Sequence, residues 1–338
     1  MSRSVDISLI VLTYNRPGPL KRCLESIAAL DMGQASAEVI VVDDGSTLDN
    51  KSVIGEFDGR LEIRYLRKTR GGVASARNYG GAHAVGKLIA FIADDYILPV
   101  NYVKDTTEFL AANPGACVIT HNILPTGPSI FRYAQRLYYQ MTLLQRFSAP
   151  DLRGGVLQSY DLPPSRAAVF RKDMFDITGW FNEELLTGED GELGMRMAAE
   201  GIPVYFFVDK YIGHWEEKDL SGYLEQRTRY GASFYRVLKE KRGDRMTEPS
   251  LGWIVRSISE RYISWLRLSF ALRRKAEYIL LTPLTLLFLS FYYWGFYSES
   301  KRTSPSPGVV AAPDKEEGNK EQESAARSES RETSLNTE

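Results

Sequence analysis

The sequence predicts an α/β protein: an open, mostly parallel sheet flanked by helices (Rossmann-like), with a C-terminal amphipathic helix and a membrane segment. Three observations predict it. Strand-like and helix-like segments alternate over residues 1–240, a basic amphipathic stretch follows at 249–275, and an uncharged apolar run occupies 278–297. Such alternation argues for parallel strands joined by right-handed crossovers.

The strands come first. "ISLIVL" (7–12) and "AEVIVV" (37–42) are short β-branched runs, as expected of strands buried on both faces of a parallel sheet. "LEIRYL" (61–66) and "KLIAFI" (87–92) continue the series. Helices are expected between them at 19–30, behind prolines, at about 51–57, and at 73–84. Ligands of such sheets sit outside the carboxyl ends of the strands. Three of those ends are polar here: "TYNR" (13–16), "DDGST" (43–47) and "ADD" (93–95). Together they define the edge where a site is expected.

Composition narrows the function class. The 338 residues are 43% hydrophobic and 25% charged, as in globular proteins. A net charge of −1 gives no electrostatic case for nucleic acid as partner. Cys23 and Cys117 lie in no metal-type spacing and are expected as free thiols of a reducing compartment. The N-terminal segment is too weakly apolar for a signal peptide, so the catalytic part is expected in the cytosol.

In the amphipathic stretch, Ile254, Ile258, Tyr262, Trp265, Leu268 and Leu272 fall at helical spacing, with Arg256, Arg267 and Arg274 largely on other faces. A helix of this kind lies in a membrane interface or packs on the main domain. The run 278–297 has no charge and about the length that a bilayer core requires. Pro283 and Gly295 are tolerated in membrane helices, and Arg273, Arg274 and Lys275 precede the run. A single span, or a re-entrant segment broken at Pro283, is expected, with the catalytic domain at the cytoplasmic face of the membrane. The remainder, 301–338, is rich in Ser, Glu, Pro and Lys without aromatic residues, and is expected to be disordered.

Several side chains can carry chemistry. Asp43 and Asp44 end a strand before Gly45; Asp44 can accept the N3–H of a uracil, or cap a turn. Arg77 in the third helix can pair with a diphosphate, or lie on the surface. Asp94 and Asp95 suit magnesium or manganese, which bind one or two carboxylates plus substrate phosphates; a solvated turn is the plainer alternative. Asp190, in the acidic start of a helix at about 190–200, is a candidate general base, although acids at a helix N-terminus are also favoured by the dipole. His214 follows a strand-like run as a metal ligand or a structural hydrogen-bonder, and His83 and His121 are expected to be structural. The aromatic-rich stretch 130–147 is expected in the core or against a membrane.

In order along the chain, "SLIVLTYNRP", "EVIVVDDGSTLD", "GGVASARNYG", "LIAFIADDYILP", "AAVFRKDMFDITGWFNEELLTGEDGELGMRMAAEG" and "HWEEKDLSGYLEQRTRYG" resemble the family 2 glycosyltransferases, nucleotide-sugar-dependent enzymes of the GT-A fold. The resemblance covers about residues 6–240. It implies that Thr13, Tyr14 and Asn15 form the strip against the nucleotide base, that Asp44 contacts uracil, that Arg77 contacts the diphosphate, and that Asp94 belongs to the nucleotide site and adds charge for the metal beside Asp95. It further implies Asp95 and His214 as ligands of Mn²⁺ or Mg²⁺ and Asp190 as the base of an inverting displacement. Ala93 departs from the pattern, standing where many members carry the first acid of an Asp-x-Asp motif. The expected partners are a nucleotide-sugar donor, a UDP-sugar by the Asp44 match, a glycan or polyprenyl-linked acceptor, and membrane lipid. A non-catalytic sugar-nucleotide-binding or scaffold protein with a degenerate metal motif is the alternative. A nucleotidyltransferase is disfavoured because "TYNRPGP" lacks a glycine-rich loop after the first strand.

Overall fold

The computed structural model describes residues 5–302, apart from 130, 145, 148–150, 186, 243–248 and 272–274. The chain divides into two units, Met1–Ser300 and Lys301–Glu338. Only Lys301 and Arg302 of the second are described, so the tail expected to be disordered lies outside the described residues.

The first half follows the predicted alternation: β1 (Ile7–Thr13), α1 (Pro17–Ala28), β2 (Ala37–Asp43), α2 (Asn50–Gly55), β3 (Ile63–Arg67), α3 (Gly72–His83) and β4 (Leu88–Ala93). Pro17 opens α1 where its fixed φ suits a first helical turn, and Leu20, Cys23, Leu24 and Ile27 bury one stripe of it. Along β1 the faces alternate. Ile7, Leu9 and Val11 pack with α1 on one side, while Ile10 joins Val42, Ala76 and Phe91 on the other. Both faces are therefore covered, which is why these strands are nearly continuous apolar runs.

The second half holds β5 (Tyr96–Ile97), α4 (Tyr102–Ala112), β6 (Val118–Thr126), α5 (Arg132–Leu144), β7 (Val156–Ser159), β8 (Val169–Arg171), α6 (Met174–Thr178), α7 (Glu189–Ala199) and β9 (Val204–Trp215). It corrects the expectation of a mostly parallel sheet. The strand order is β3-β2-β1-β4-β8-β6-β9-β5, with β7 also on β9. β8 enters antiparallel between β4 and β6, and β5 and β7 run antiparallel to β9. The sheet is mixed, within a GT-A-like α/β architecture.

Four helices complete the first unit and its boundary: α8 (Leu220–Arg242), α9 (Leu251–Ala271), α10 (Lys275–Leu280) and α11 (Thr282–Lys301). They overturn the membrane segment. Among the described residues no helix is long and apolar enough to cross a membrane. The uncharged run is split by a turn at Leu281, and α11 continues through Glu299 to Lys301. Pro283 lies in the first turn of α11, where a proline costs no hydrogen bond. Gly295 serves a helix crossing instead: a Cβ there would strike the backbone of Thr228, and one at Gly231 would strike that of Tyr292. Two glycines thus bring α8 and α11 into backbone contact, and Arg236 Nε adds a bond to Glu299 Oε1 at 2.7 Å. Without a span, the expected placement at the cytoplasmic membrane loses its basis. In α9 the described part of the predicted stripe packs: Ile254 and Trp265 are buried with Leu137, Leu289 and Tyr293, with Ile258 and Tyr262 beside them, while the side chains of Leu268 and Leu272 lie outside the described residues.

Candidate active site

Parallel register gathers the polar strand ends. Thr13 pairs with Asp43 and Leu12 with Ala93, so β1, β2 and β4 release their chains at one edge of the sheet. There a cleft of about 1060 Å³ opens, with Thr13, Tyr14, Asp44, Arg77, Asp94 and Asp190 on its walls.

At one end the Tyr14 ring lies under the Arg70 guanidinium, 4.1 Å from its centroid. Asp44 is buried and already accepts three donors: Lys68 Nζ at 3.0 Å, Gly71 N at 2.9 Å and Gly72 N at 2.8 Å. A carboxylate has about four acceptor positions, so one remains for a base. Asn15 does not line the cleft. Its Oδ1 accepts from Thr47 N (2.7 Å) and Leu48 N (3.0 Å), which fixes the loop after β2. That use accounts for its φ of 53°, since Asn tolerates the left-handed region better than other side chains.

The paired acids form a network around a cation that sequence reasoning did not single out. Arg16 Nη1 reaches Asp94 Oδ1 at 2.7 Å and Asp95 Oδ2 at 2.9 Å, and Thr13 Oγ1 donates to Asp94 Oδ2 at 2.8 Å. Burial, with Asp95 adding to it, pushes the Asp94 pKa up to about 7 against the pull of Arg16. Burial also opposes ionisation of Asp95, but His214 and then Arg16 overcome it and hold Asp95 below the usual carboxylate range. His214 Nε2 stands 3.5 Å from Asp95 Oδ2, and its Nδ1 stands 2.8 Å from Glu216 Oε1. Burial disfavours the imidazolium, yet Asp95, and more weakly Glu216, raise its pKa to about 9.

The donor set around Asp95 meets some of what a divalent ion requires. A carboxylate hydrogen-bonded to the far nitrogen of a histidine is the arrangement that orients a metal-binding imidazole; Glu216 Oε1 stands at that nitrogen at ion-pair distance, but without hydrogen-bond geometry. Among the described residues, however, no group of three or more His, Cys, Asp or Glu is placed to hold a metal. Asp95 and His214 offer two ligands. They fit an ion that takes its remaining oxygens from a substrate diphosphate or water, once Arg16 leaves Asp95 and His214 loses its proton.

Asp190 lines the same cleft from α7. Gly188 caps α7 with φ +88°, a left-handed turn that suits glycine, and so places Glu189 and Asp190 in the first helical turn. Asp190 Oδ1 accepts from Gly191 N at 2.8 Å. Arg77, expected on a diphosphate, lines the cleft and donates from Nη1 to Glu189 Oε1 at 2.7 Å, which ties α3 to α7. Burial, then Asp190, raises the Glu189 pKa against that pairing. The cations Arg16, Lys68 and Arg70 each lie within three residues of a stretch whose chemistry was legible. Their partners come from other strands, so only the fold assigns them.

The family description "Glycosyl transferase family 2" matches residues 8–175. Validoxylamine A glucosyltransferase of Streptomyces hygroscopicus subsp. limoneus is 29% identical over 227 residues, which are 59% of this chain and 49% of that protein. Chondroitin synthase of Pasteurella multocida (strain Pm70) is 34% identical over 128 residues, 37% of this chain and 13% of that protein. The chain therefore spans about half the length of the first of these curated relatives and less of the second. Among solved structures, the mannosyltransferase PcManGT from Pyrobaculum calidifontis in complex with GDP-Man and Mn²⁺ matches with a TM-score of 0.53. That match covers 88% of this chain and 85% of that one at 18% identity, and it speaks for the fold alone. With the strand-end motifs gathered at one cleft, a GT-A-like sheet and the family match, the chain belongs to the family 2 glycosyltransferases.

Proposed function

We propose that the protein moves a sugar from a nucleoside-diphosphate donor, a UDP-sugar, to a hydroxyl of a glycan acceptor, with inversion at the anomeric carbon. The observation that carries this reading is the shared cleft: Asp44, Tyr14, Asp94 and Asp190 all line it. Tyr14 stacks against the base, and Asp44 takes the uracil N3–H on its remaining acceptor position. Asp190 removes the proton from the acceptor hydroxyl with the oxygen that Gly191 leaves free. The hydroxyl then displaces the nucleoside diphosphate in one step, so configuration inverts. Asp95 and His214 are the residues that would hold Mn²⁺ or Mg²⁺, which would supply positive charge against the departing diphosphate. The polyprenyl-linked acceptor was tied to a membrane-held enzyme, and that reason falls with the membrane segment.

The alternative, a sugar-nucleotide-binding protein without turnover, draws on Ala93 and on Arg16, which bridges both remaining acids. Calorimetric titration of the full chain with UDP, GDP, dTDP and CDP, each with and without Mn²⁺, tests the proposal. UDP binding that needs Mn²⁺ and weakens in Asp95→Ala is the expected result. Preference for another nucleotide would overturn the role of Asp44, and binding of none would overturn the site.

A further inference from the structure

Deeper in the same cleft lies a guanidinium that the chemistry above does not use. Arg166 has φ +64° and the next residue, Ala167, has φ +49°, two consecutive non-glycine residues in the left-handed region. Such conformations persist where surrounding structure enforces them, and they concentrate at functional sites. The enforcement is visible: Tyr102 Oη donates to Ala167 O at 2.7 Å, and β8 begins two residues later. β8 pairs with β4 in the register Leu88↔Arg171 to Ala90↔Val169. Continued along the chain, that register runs Arg166 toward Ala93, and both residues line the cleft.

Arg166 has no carboxylate within ion-pair distance among the described residues, and its buried Nη1 has no hydrogen-bond partner there. The guanidinium lies over the Tyr139 ring, 5.6 Å from the centroid. A second cation, Arg227, lines the same cleft. Arg227 is buried, stacks 4.1 Å over Tyr138, donates to Gln135 Oε1, and leaves its Nε without a partner. Buried cations are ordinarily paired, because desolvating them without a counter-charge is costly. Ala93 supplies no carboxylate, and the charge of Asp190 acts on Arg166 more weakly than burial and the Tyr139 and Tyr96 side chains. The charge that completes this corner therefore comes from outside the chain.

We propose that Arg166, backed by Arg227, is the counter-charge for a carboxylate or phosphate carried by a sugar that occupies the cleft beside Asp190. This rests on the glycosyl-transfer reading of the cleft and adds the substrate class: an anionic sugar, as donor or as acceptor. Arg166 presents planar donors suited to such a group. Its strained backbone holds the guanidinium on the cleft side of β8.

Two pairs of probes test this on the full chain by calorimetry, and they separate the two sources. UDP-glucuronate against UDP-glucose reads the donor sugar. Cellobiouronic acid and glucose 6-phosphate, against cellobiose and glucose with no nucleotide present, read the acceptor independently of the donor site. The wild-type protein should prefer the anionic member of one set by roughly tenfold or more, the scale of one charge-assisted hydrogen bond. Arg166→Gly should abolish that preference and Arg166→Lys should retain most of it. Glycine accepts φ +64° without strain, so Arg166→Gly should fold with an unchanged or higher melting temperature. Absence of preference in both sets, or its survival in Arg166→Gly, would overturn the proposal. So would a loss of affinity for UDP itself in Arg166→Gly, because the arginine would then serve the diphosphate. Failure of the wild type to bind UDP would count against the donor assignment alone, while the nucleotide-free set would still decide the anion site.

Discussion

Arg77 Nη1 donates to Glu189 Oε1 at 2.7 Å, and both side chains are largely buried. The pair joins the third helix of the sheet's first half to the turn that carries Asp190. Removing one partner of a buried pair leaves an uncompensated charge, which costs about 3–5 kcal/mol. Arg77→Met should therefore destabilise the fold by an amount of that order at neutral pH, and Arg77→Met/Glu189→Gln should recover much of it. A denaturant-unfolding double-mutant cycle checks this. Purely additive losses would mean that the two side chains do not act as a pair.

Gly231 and Gly295 let α8 and α11 touch backbone to backbone. A single methyl group at either site has no room without separating the helices, and overpacking of this kind costs about 1–3 kcal/mol. Gly295→Ala should lower the melting temperature clearly, whereas Gly252→Ala, with only Ser250 Oγ 3.7 Å from the added carbon, should not. Equal tolerance at both positions would contradict the helix crossing.

His121 is fully buried between Tyr102 and Phe207, with ring centroids 4.9 and 5.2 Å away, and neither ring nitrogen has a partner among the described residues. Burial, then the charge of Lys210, pushes its pKa from 6.5 down to about 3. Between those two values the unfolded chain binds the proton and the folded chain does not. Stability attributable to this group is thus full above pH 6.5 and lost as pH falls toward 3, by up to about 1.4 kcal/mol per pH unit. His121→Leu should flatten the acid limb of a stability–pH curve measured by urea unfolding. An unchanged slope would show that His121 is not protonated on acid unfolding.

Much of this was legible in the sequence, and the rest was hidden for physical reasons. β1, β2, β4 and α1 to α3 fall within about two residues of their predicted limits, because their apolar periodicity comes from burial on both faces. The three-residue β8 has no periodicity to read, and its antiparallel insertion depends on a long excursion through α5. The run 278–297 packs in part against α5, α8 and α9, while Ile279, Leu280 and Trp294 stay exposed. Phe288 stacks on Tyr223, and Leu289 and Tyr293 join Leu137 and Trp265. Absence of charge reports removal from water, and a protein interior removes water as a bilayer does. At the site, Asp44, Asp94 and Asp190 announced themselves as acids at strand and helix ends. Arg16 and Arg166 did not, since an arginine's role depends on what folds against it.

The central claim is that Asp190 is the base of a glycosyl transfer. Turnover and nucleotide binding by Asp190→Asn, compared with wild type under the same donor and metal conditions, test it most directly. Loss of turnover by roughly a hundredfold or more, the scale of general-base catalysis, with nucleotide affinity unchanged is the predicted result. Turnover in Asp190→Asn equal to that of wild type would contradict it.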